Sequence, residues 1–290
     1  MLGVNIGSDN TWTPKQSLKK LSTDLKDVQS VKFYHADPSI VIPFGVSKTI
    51  KNIYIHLSNT ELFSTIEWKR WIENHVKPIC NRITDKNIIL VLGNEVLADH
   101  NIDKYGPKLL PALRSCYNTL NECNLGRVKI VTPLDTSCLQ DSSTPSESSF
   151  KTDLVPILRE IIRFLISTGS KLAFNIYPDI ENSDDFNGYT DKGKQYTDLF
   201  CEQYDSIIQA VTKLGVIGSK TLKLIVTETG WPSDGDNQDK TFKYIQEIKE
   251  ICKKGTPLRK GHIEIIIYEL FDSKSEKYFG IYDYEGIEKK

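Results

Sequence analysis

The chain has 290 residues, of which 39% are hydrophobic and 26% are charged, a composition typical of soluble globular proteins and too apolar for general disorder. Lys and Arg number 37 against 38 Asp and Glu, so the net charge of -1 gives no reason to expect nucleic acid as a partner. A neutral polymer such as a polysaccharide fits this balance at least as well.

The sequence lacks the common signatures of metal, nucleotide and membrane binding. None of the six cysteines form CxxC, the five histidines show no HxxxH or HExxH spacing, and no glycine-rich phosphate loop occurs. We therefore expect neither a metal nor a cofactor. No apolar run is long enough to span a bilayer, and the first residues show no signal peptide, so any leader is absent from this chain.

Short apolar runs rich in β-branched residues recur along the chain and predict eight strands. They are residues 2–6, 30–34, 52–57, 87–92, 127–132, 171–177, 222–227 and 262–270. Longer stretches with apolar residues at i, i+3, i+4 and i+7 lie between most of them and predict helices. These are residues 14–25, 63–76, 105–123, 152–168, 196–214 and 241–254.

This alternation predicts an α/β fold with a parallel sheet, because continuous apolar strands are buried on both faces and need covering helices. About eight βα units in roughly 250 residues is the size of a (β/α)8 TIM barrel. A doubly wound open sheet is the alternative, but the even rhythm of the strands favours closure. No linker rich in Gly or Pro divides the chain, so we expect one domain over residues 1–290.

Two strands end in a glutamate. Glu95 and its neighbour Asn94 follow strand four, and Glu228 follows strand seven. In a barrel, both strand ends lie at the same mouth, where active sites occur. Two carboxylates that face each other across a cleft are what glycosidic bond cleavage requires. Asn94 is placed to hydrogen-bond the sugar 2-hydroxyl beside Glu95. A single glutamate at a strand end is more often a solvated loop residue, so the prediction depends on the two glutamates occurring together.

The chain resembles glycoside hydrolase family 17, the plant-type β-1,3-glucanases. The opening "LGVNIG" resembles the family's GVNYG, and "VKFYHADP" resembles VRLYDADP. Further along, "LGNEVL" resembles VGNEVL, "TGSKLAFNIYP" resembles TGSPLLVNVYP, and "VTETGWPS" is almost identical to the family signature. The motifs occur in the family's order along nearly the whole chain, which makes the resemblance specific.

The resemblance implies a retaining enzyme that cleaves internal linkages of β-1,3-glucan, with Glu95 as the acid/base and Glu228 as the nucleophile. It also implies a secreted protein of the extracellular space or cell wall, and a monomer is expected. Cleavage of mixed 1,3;1,4-glucans, transfer of glucan chains to a sugar acceptor, and glucan binding with weak catalysis stay open as alternatives. Retention of both glutamates argues against the last of these.

Several other positions match family motifs near the proposed cleft. Tyr34 shares a strand face with Lys32, where the family commonly has Arg, and is expected either to line the sugar site or to pack in the core. Asn175 and Tyr177 end strand six and are expected to line the cleft. Trp231 is expected either to stack on a sugar or to fix its loop.

The segment after strand eight matches the family only in part. Phe271, Lys274 and Glu276 fit the family's substrate-binding scheme, whereas Ser273 stands where a Glu is expected. After strand six, an aromatic pair of the family is replaced by Asp179 and Ile180. Both loops are shorter than usual, so the resemblance implies an altered cleft around an unaltered catalytic pair.

Overall fold

The eight predicted strands all form and close into a barrel. The computed structural model describes residues 1–7, 12–64, 66–140, 144–178, 186–233, 238–273 and 278–289. The barrel strands are β1 Leu2–Ile6, β2 Val28–Phe33, β3 Asn52–Leu57, β4 Asn87–Leu92, β5 Lys129–Val131, β6 Pro133–Leu134, β7 Leu172–Asn175, β10 Leu224–Thr229 and β11 Glu264–Ile267. The pairs between them are parallel, which confirms the predicted TIM barrel.

Closure of the barrel depends on a break in the fifth predicted strand. β5 pairs with β4, whereas β6 pairs with β7, so the sheet closes through the chain at Thr132. Pro133 begins β6 and has no N–H to donate to a neighbouring strand, which accounts for the interruption. Within the described residues, the sheet therefore has nine strand segments where the sequence predicts eight.

The helices pack outside the barrel. They are α1 Pro14–Thr23, α2 Pro38–Val41, α3 Asn59–Leu62, α4 Trp68–Trp71, α5 Lys77–Arg82, α6 Ile102–Glu122, α7 Val155–Ser167, α8 Leu199–Lys213 and α9 Gln238–Lys254. Their apolar faces and the outward faces of the strands form the main core. Among the described residues, no helix is both long and apolar enough to cross a membrane.

The predicted helix over 63–76 is displaced in the structure. Helical structure instead begins with α4, continues through a π-helical turn at Ile72–Val76 and ends with α5. Pro78 lies just after this turn, and a proline ring inside a regular helix clashes with the carbonyl four residues earlier. The wider winding of the π turn gives the ring room, so the helix continues past a residue that ends most helices.

A short hairpin that the sequence analysis did not predict follows β7. Its strands are β8 Tyr189–Asp191 and β9 Lys194–Tyr196. Both residues of the turn, Lys192 and Gly193, have positive φ angles of 47° and 77°, as a two-residue hairpin turn requires. Asp191 accepts hydrogen bonds from the backbone and hydroxyl of Ser146, both at 2.7 Å, which fixes the hairpin to the segment after β6.

The inward face of the barrel is layered by polarity. At its amino-terminal end, Glu264 pairs with Lys171 and accepts hydrogen bonds from Tyr54 at 2.6 Å and Asn52 at 2.9 Å. An apolar cluster fills the middle. Toward the carboxyl ends of the strands, the interior becomes polar again, and Lys32 and His56 are buried there. Charged groups thus lie at both ends of the barrel interior, separated by the apolar cluster.

His56 predicts a specific pH dependence of stability. Burial, and then the charge of Lys32, lower the pKa of His56 to about 3. The folded protein therefore excludes a proton that the unfolded chain binds below about pH 6.5, so stability is lost as the pH falls from there toward 3. Relative to His56→Gln, which cannot titrate, the wild type should lose up to about 1.4 kcal/mol of unfolding free energy per pH unit.

Urea unfolding of both proteins at pH 7, 6, 5 and 4 measures this difference, because carboxylate contributions common to the two proteins cancel. If the difference in unfolding free energy between the two proteins stayed constant over this range, His56 would not be neutral in the folded protein.

Candidate active site

Glu228 is aimed into the barrel by the end of β10. The register of β10 against β7 shifts between Val226, opposite Phe174, and Glu228, opposite Asn175. Such an irregularity re-aims a side chain relative to simple alternation. The carboxylate lies at the mouth of the barrel, and the residue is only 7% exposed.

Three donors hold the Glu228 carboxylate. The Lys32 ammonium lies 2.5 Å from Oε1, and the Tyr34 hydroxyl donates to the same oxygen at 2.9 Å. The Tyr177 hydroxyl donates to Oε2 at 3.2 Å. Burial, and then the charge of Glu228, raise the pKa of Tyr34 and of Tyr177 well above their usual value. Both phenols therefore stay protonated and act as donors. The carboxylate is fixed in position with its negative charge compensated.

Glu95 lies in a tight turn after β4. Glu95 has a φ of 50° and Gly93 a φ of 69°, both in the left-handed region. A side chain at position 93 would meet Val96 at 2.6 Å, so the turn requires glycine. The Glu95 amide donates to the Pro133 carbonyl at 3.0 Å, and its own carbonyl accepts from Asn101 at 3.0 Å. These bonds hold a backbone conformation that is unfavourable for glutamate.

The environment of Glu95 favours its protonated form. Burial raises the pKa of this carboxyl, and the negative charge of Glu228 raises it further. The hydrogen bond from Asn175 Nδ2 to Oε1, at 2.8 Å, acts in the opposite direction but does not cancel these effects. Glu95 therefore keeps a proton more readily than an ordinary glutamate.

A chain of amides connects the strand ends around Glu95. Asn175 donates to Asn94 Oδ1 at 3.0 Å and accepts from the Thr227 hydroxyl at 2.8 Å, which fixes the orientation of its amide. Asn59 holds the backbone of Asn94 on both sides, accepting from its N–H at 2.7 Å and donating to its carbonyl at 2.8 Å. The positions of Asn94 and Glu95 are thus set by three neighbouring segments.

Further aromatic rings pack against the two tyrosines that hold the Glu228 carboxylate. Tyr268 meets Tyr34 edge-on at 5.9 Å, and Phe279 contacts Tyr268 at 5.7 Å and Tyr177 at 6.1 Å. Rings at an active-site mouth provide apolar surface against which a sugar can pack. Sequence reasoning missed Tyr268 and Phe279, although Tyr268 is the first residue after β11 and could have been identified from that position.

Two predicted binding residues lie in packed surroundings. Trp231 is 7% exposed and packs against Tyr244 at 5.5 Å, beside a cavity of about 230 Å³ between α8 and α9. Phe271 is fully buried and stacks on Trp12 at 4.2 Å. For Trp231 this favours the loop-fixing alternative. Both side chains have little exposed surface on which a sugar could stack.

The structure brings six of the predicted residues together: Tyr34, Asn94, Glu95, Asn175, Tyr177 and Glu228. Lys274 and Glu276 lie outside the described residues, as does the replaced pair Asp179 and Ile180. Among the residues that are described, no group of three His, Cys, Asp or Glu side chains could hold a metal ion.

Known proteins resemble this chain along almost its whole length. Residues 2–289 match the family described as Glycosyl hydrolases family 17. A glucan endo-1,3-beta-glucosidase of Vitis vinifera is 30% identical over 236 residues, 73% of this chain and 67% of the relative. Glucan endo-1,3-beta-glucosidase 10 of Arabidopsis thaliana is 29% identical, over 98% of this chain and 74% of the relative.

Solved structures agree in fold. A beta-1,3-glucanase and allergen of Cryptomeria japonica pollen superposes with a TM-score of 0.84 and 25% identity, over 99% of this chain and 97% of the other. A plant beta-glucan endohydrolase superposes with a TM-score of 0.83 and 22% identity, over 99% of this chain and 98% of the other. The family match and these relatives lead to one conclusion: the chain belongs to glycosyl hydrolases family 17.

Proposed function

We propose that the protein is a retaining endo-β-1,3-glucanase in which Glu95 is the acid/base and Glu228 the nucleophile. The observation that carries this assignment is the difference between the two carboxyl environments. Glu228 is surrounded by one cation and two hydroxyl donors, whereas burial and the charge of Glu228 favour a protonated Glu95. A glycosidase needs one ionised and one protonated carboxyl at its mouth.

The reaction follows from these two states. A Glu228 oxygen attacks the anomeric carbon, the glycosidic C–O bond breaks, and Glu95 gives its proton to the leaving oxygen. The leaving-group sugar departs, and the other sugar is now bound to Glu228 as a glycosyl ester. Water then attacks the anomeric carbon and loses a proton to Glu95, while the ester bond breaks and restores the Glu228 carboxylate. The configuration at the anomeric carbon is inverted twice and so retained.

The residues around the pair have supporting roles in this proposal. Asn94 and Asn175 lie beside Glu95 and are placed to bind the hydroxyls of the sugar at the reacting position. Tyr34 and Tyr177 hold Glu228 and line the same site. Substrate binding by Phe271, Lys274 and Glu276 stays a prediction, without support from the burial of Phe271.

The linkage specificity of the proposal rests on the relatives, which are named glucan endo-1,3-beta-glucosidases. The substrate is then a β-1,3-glucan, met outside the cell or in the cell wall, and residues 1–290 form one catalytic domain. Products from laminarin, lichenan and a short β-1,3-oligosaccharide test this directly. Soluble oligosaccharides from laminarin support it, whereas products from lichenan alone, or only longer transfer products, favour an alternative.

Replacing the nucleophile should abolish turnover without unfolding the protein. Glu228→Gln keeps the shape of the side chain but removes the attacking charge, and we expect roughly 10⁴-fold or greater loss of kcat on laminarin. Glucan binding by calorimetry should persist. Glu202→Gln, at a half-buried glutamate on α8, is the matched control and should keep wild-type activity.

The azide products separate the two roles. With an activated glycoside, azide should restore turnover of Glu228→Gly with an α-glycosyl azide as product, and of Glu95→Gly with a β-glycosyl azide. Near-normal activity of Glu228→Gln, or exchanged anomers of the azides, would refute the assignment.

The alkaline limb of the pH profile should belong to Glu95. Since the acid must be protonated, kcat/KM is expected to fall as the pH rises through the pKa of Glu95, which burial raises above its ordinary value of 4.5. In Glu95→Ala, a substrate with a good leaving group needs no acid, so its first step should proceed without this limb. The measurement is kcat/KM of a dinitrophenyl glycoside from pH 4 to 9. An alkaline limb that persists in Glu95→Ala would assign it to another group.

A further inference from the structure

His56 is a buried titratable group that the proposed reaction does not use. It is 6% exposed on the inward face of β3. The β2–β3 register pairs Phe33 with Ile55, which puts Tyr34 beside His56, and the two rings meet edge-on at 5.7 Å. Neither imidazole nitrogen makes a well-formed hydrogen bond within the described part of the chain, although the backbone of Gly93 is close.

A buried polar side chain without well-formed hydrogen bonds is costly, so its presence calls for an explanation. An apolar side chain of similar size would fill the same volume of a barrel interior without that cost. His56 lies where the interior meets the active site: its ring packs edge-on against Tyr34, and the charge of Lys32 lowers its pKa. Functional sites are where such local costs are commonly retained.

Lys32 is the second unusual feature of this region. It is fully buried, and its ammonium lies 2.5 Å from Glu228 Oε1 and 4.7 Å from the centroid of the Tyr34 ring. An ammonium is a compact point charge, whereas a guanidinium is a broad planar fork. An arginine at this position would therefore need more room beside Glu228 than the lysine takes.

We propose that Lys32 and His56 are a matched pair, in which the neutral imidazole fills the space beside the lysine and keeps both its ammonium and the Tyr34 hydroxyl on Glu228. His56 is then a positioning residue, which acts on the reaction through Lys32 and Tyr34. The proposal deepens the proposed function and rests on Glu228 as nucleophile. It implies that the size of the cation at position 32 and the side chain at position 56 are coupled.

A double-mutant cycle tests this coupling. Lys32→Arg keeps the charge but meets the imidazole, so kcat on laminarin should fall roughly 10- to 100-fold through displacement of Glu228. His56→Ala leaves the lysine without its neighbour and should lower kcat by about tenfold or less. In the double variant, the guanidinium gains the vacated space, and kcat should rise at least about fivefold above that of Lys32→Arg.

The design separates positioning from general loss of structure. KM should change less than about threefold in each variant, since the substrate-binding groups are untouched. Thermal unfolding should show each variant folded at the assay temperature. His35→Ala is the matched control, because His35 is a half-buried histidine that lies near Asp37 and Glu61 instead of Glu228, and it should keep wild-type kcat.

Two results would overturn the matched pair: wild-type kcat in Lys32→Arg, or a double variant whose loss is the product of the two single losses. A wild-type enzyme that cleaves no glucan would overturn the proposed function instead. In that case crystal structures of the same variants decide the pair. Displacement of Glu228 or His56 in Lys32→Arg, relieved in the double variant, supports it, and an undisturbed Lys32→Arg site refutes it.

Discussion

The ion pair between Lys32 and Glu228 is the interaction around which the site is organised. Each charge would be expensive to bury alone, because the interior of a protein solvates an ion far less well than water does. Together they compensate each other at 2.5 Å, and Tyr34 and Tyr177 supply the remaining hydrogen bonds to the carboxylate. The barrel thus keeps a negative charge at its mouth, carried by β10 and fixed by donors from the ends of β2 and β7.

The same ion pair makes the second carboxyl different from the first. With Lys32 and the two phenols directed at Glu228, Glu95 receives an amide donor from Asn175 and stays subject to burial and to the charge of Glu228. The two carboxyl environments at the mouth of one barrel therefore differ, and Glu95 keeps its proton more readily than an ordinary glutamate. This division needs no contact between the carboxyls themselves. It follows from which donors each strand end carries.

Much of the fold and the centre of the site could be predicted from the sequence. Apolar runs predict the eight strands, and the two glutamates are recognisable because each follows such a run. What the sequence could not show depends on three-dimensional neighbours. The hydrogen bonds between Asn59 and Asn94 join α3 to the turn after β4. Phe279 approaches the site from an irregular segment near the carboxyl terminus, which no periodic pattern predicts. The burial of Phe271 depends on Trp12, which comes from the other end of the chain.

Barrel closure and placement of Glu95 depend on the same short segment. Pro133 opens β6, where it interrupts the fifth strand, and its carbonyl then accepts the amide of Glu95. Its strand partner on β7 is Ala173, two residues before the Asn175 that donates to the Glu95 carboxyl. The backbone and the side chain of Glu95 are therefore held by two adjacent strands whose pairing closes the barrel. Any change that loosened that seam would move Glu95 relative to Glu228, so the break at Thr132 belongs to the candidate active site as much as to the fold.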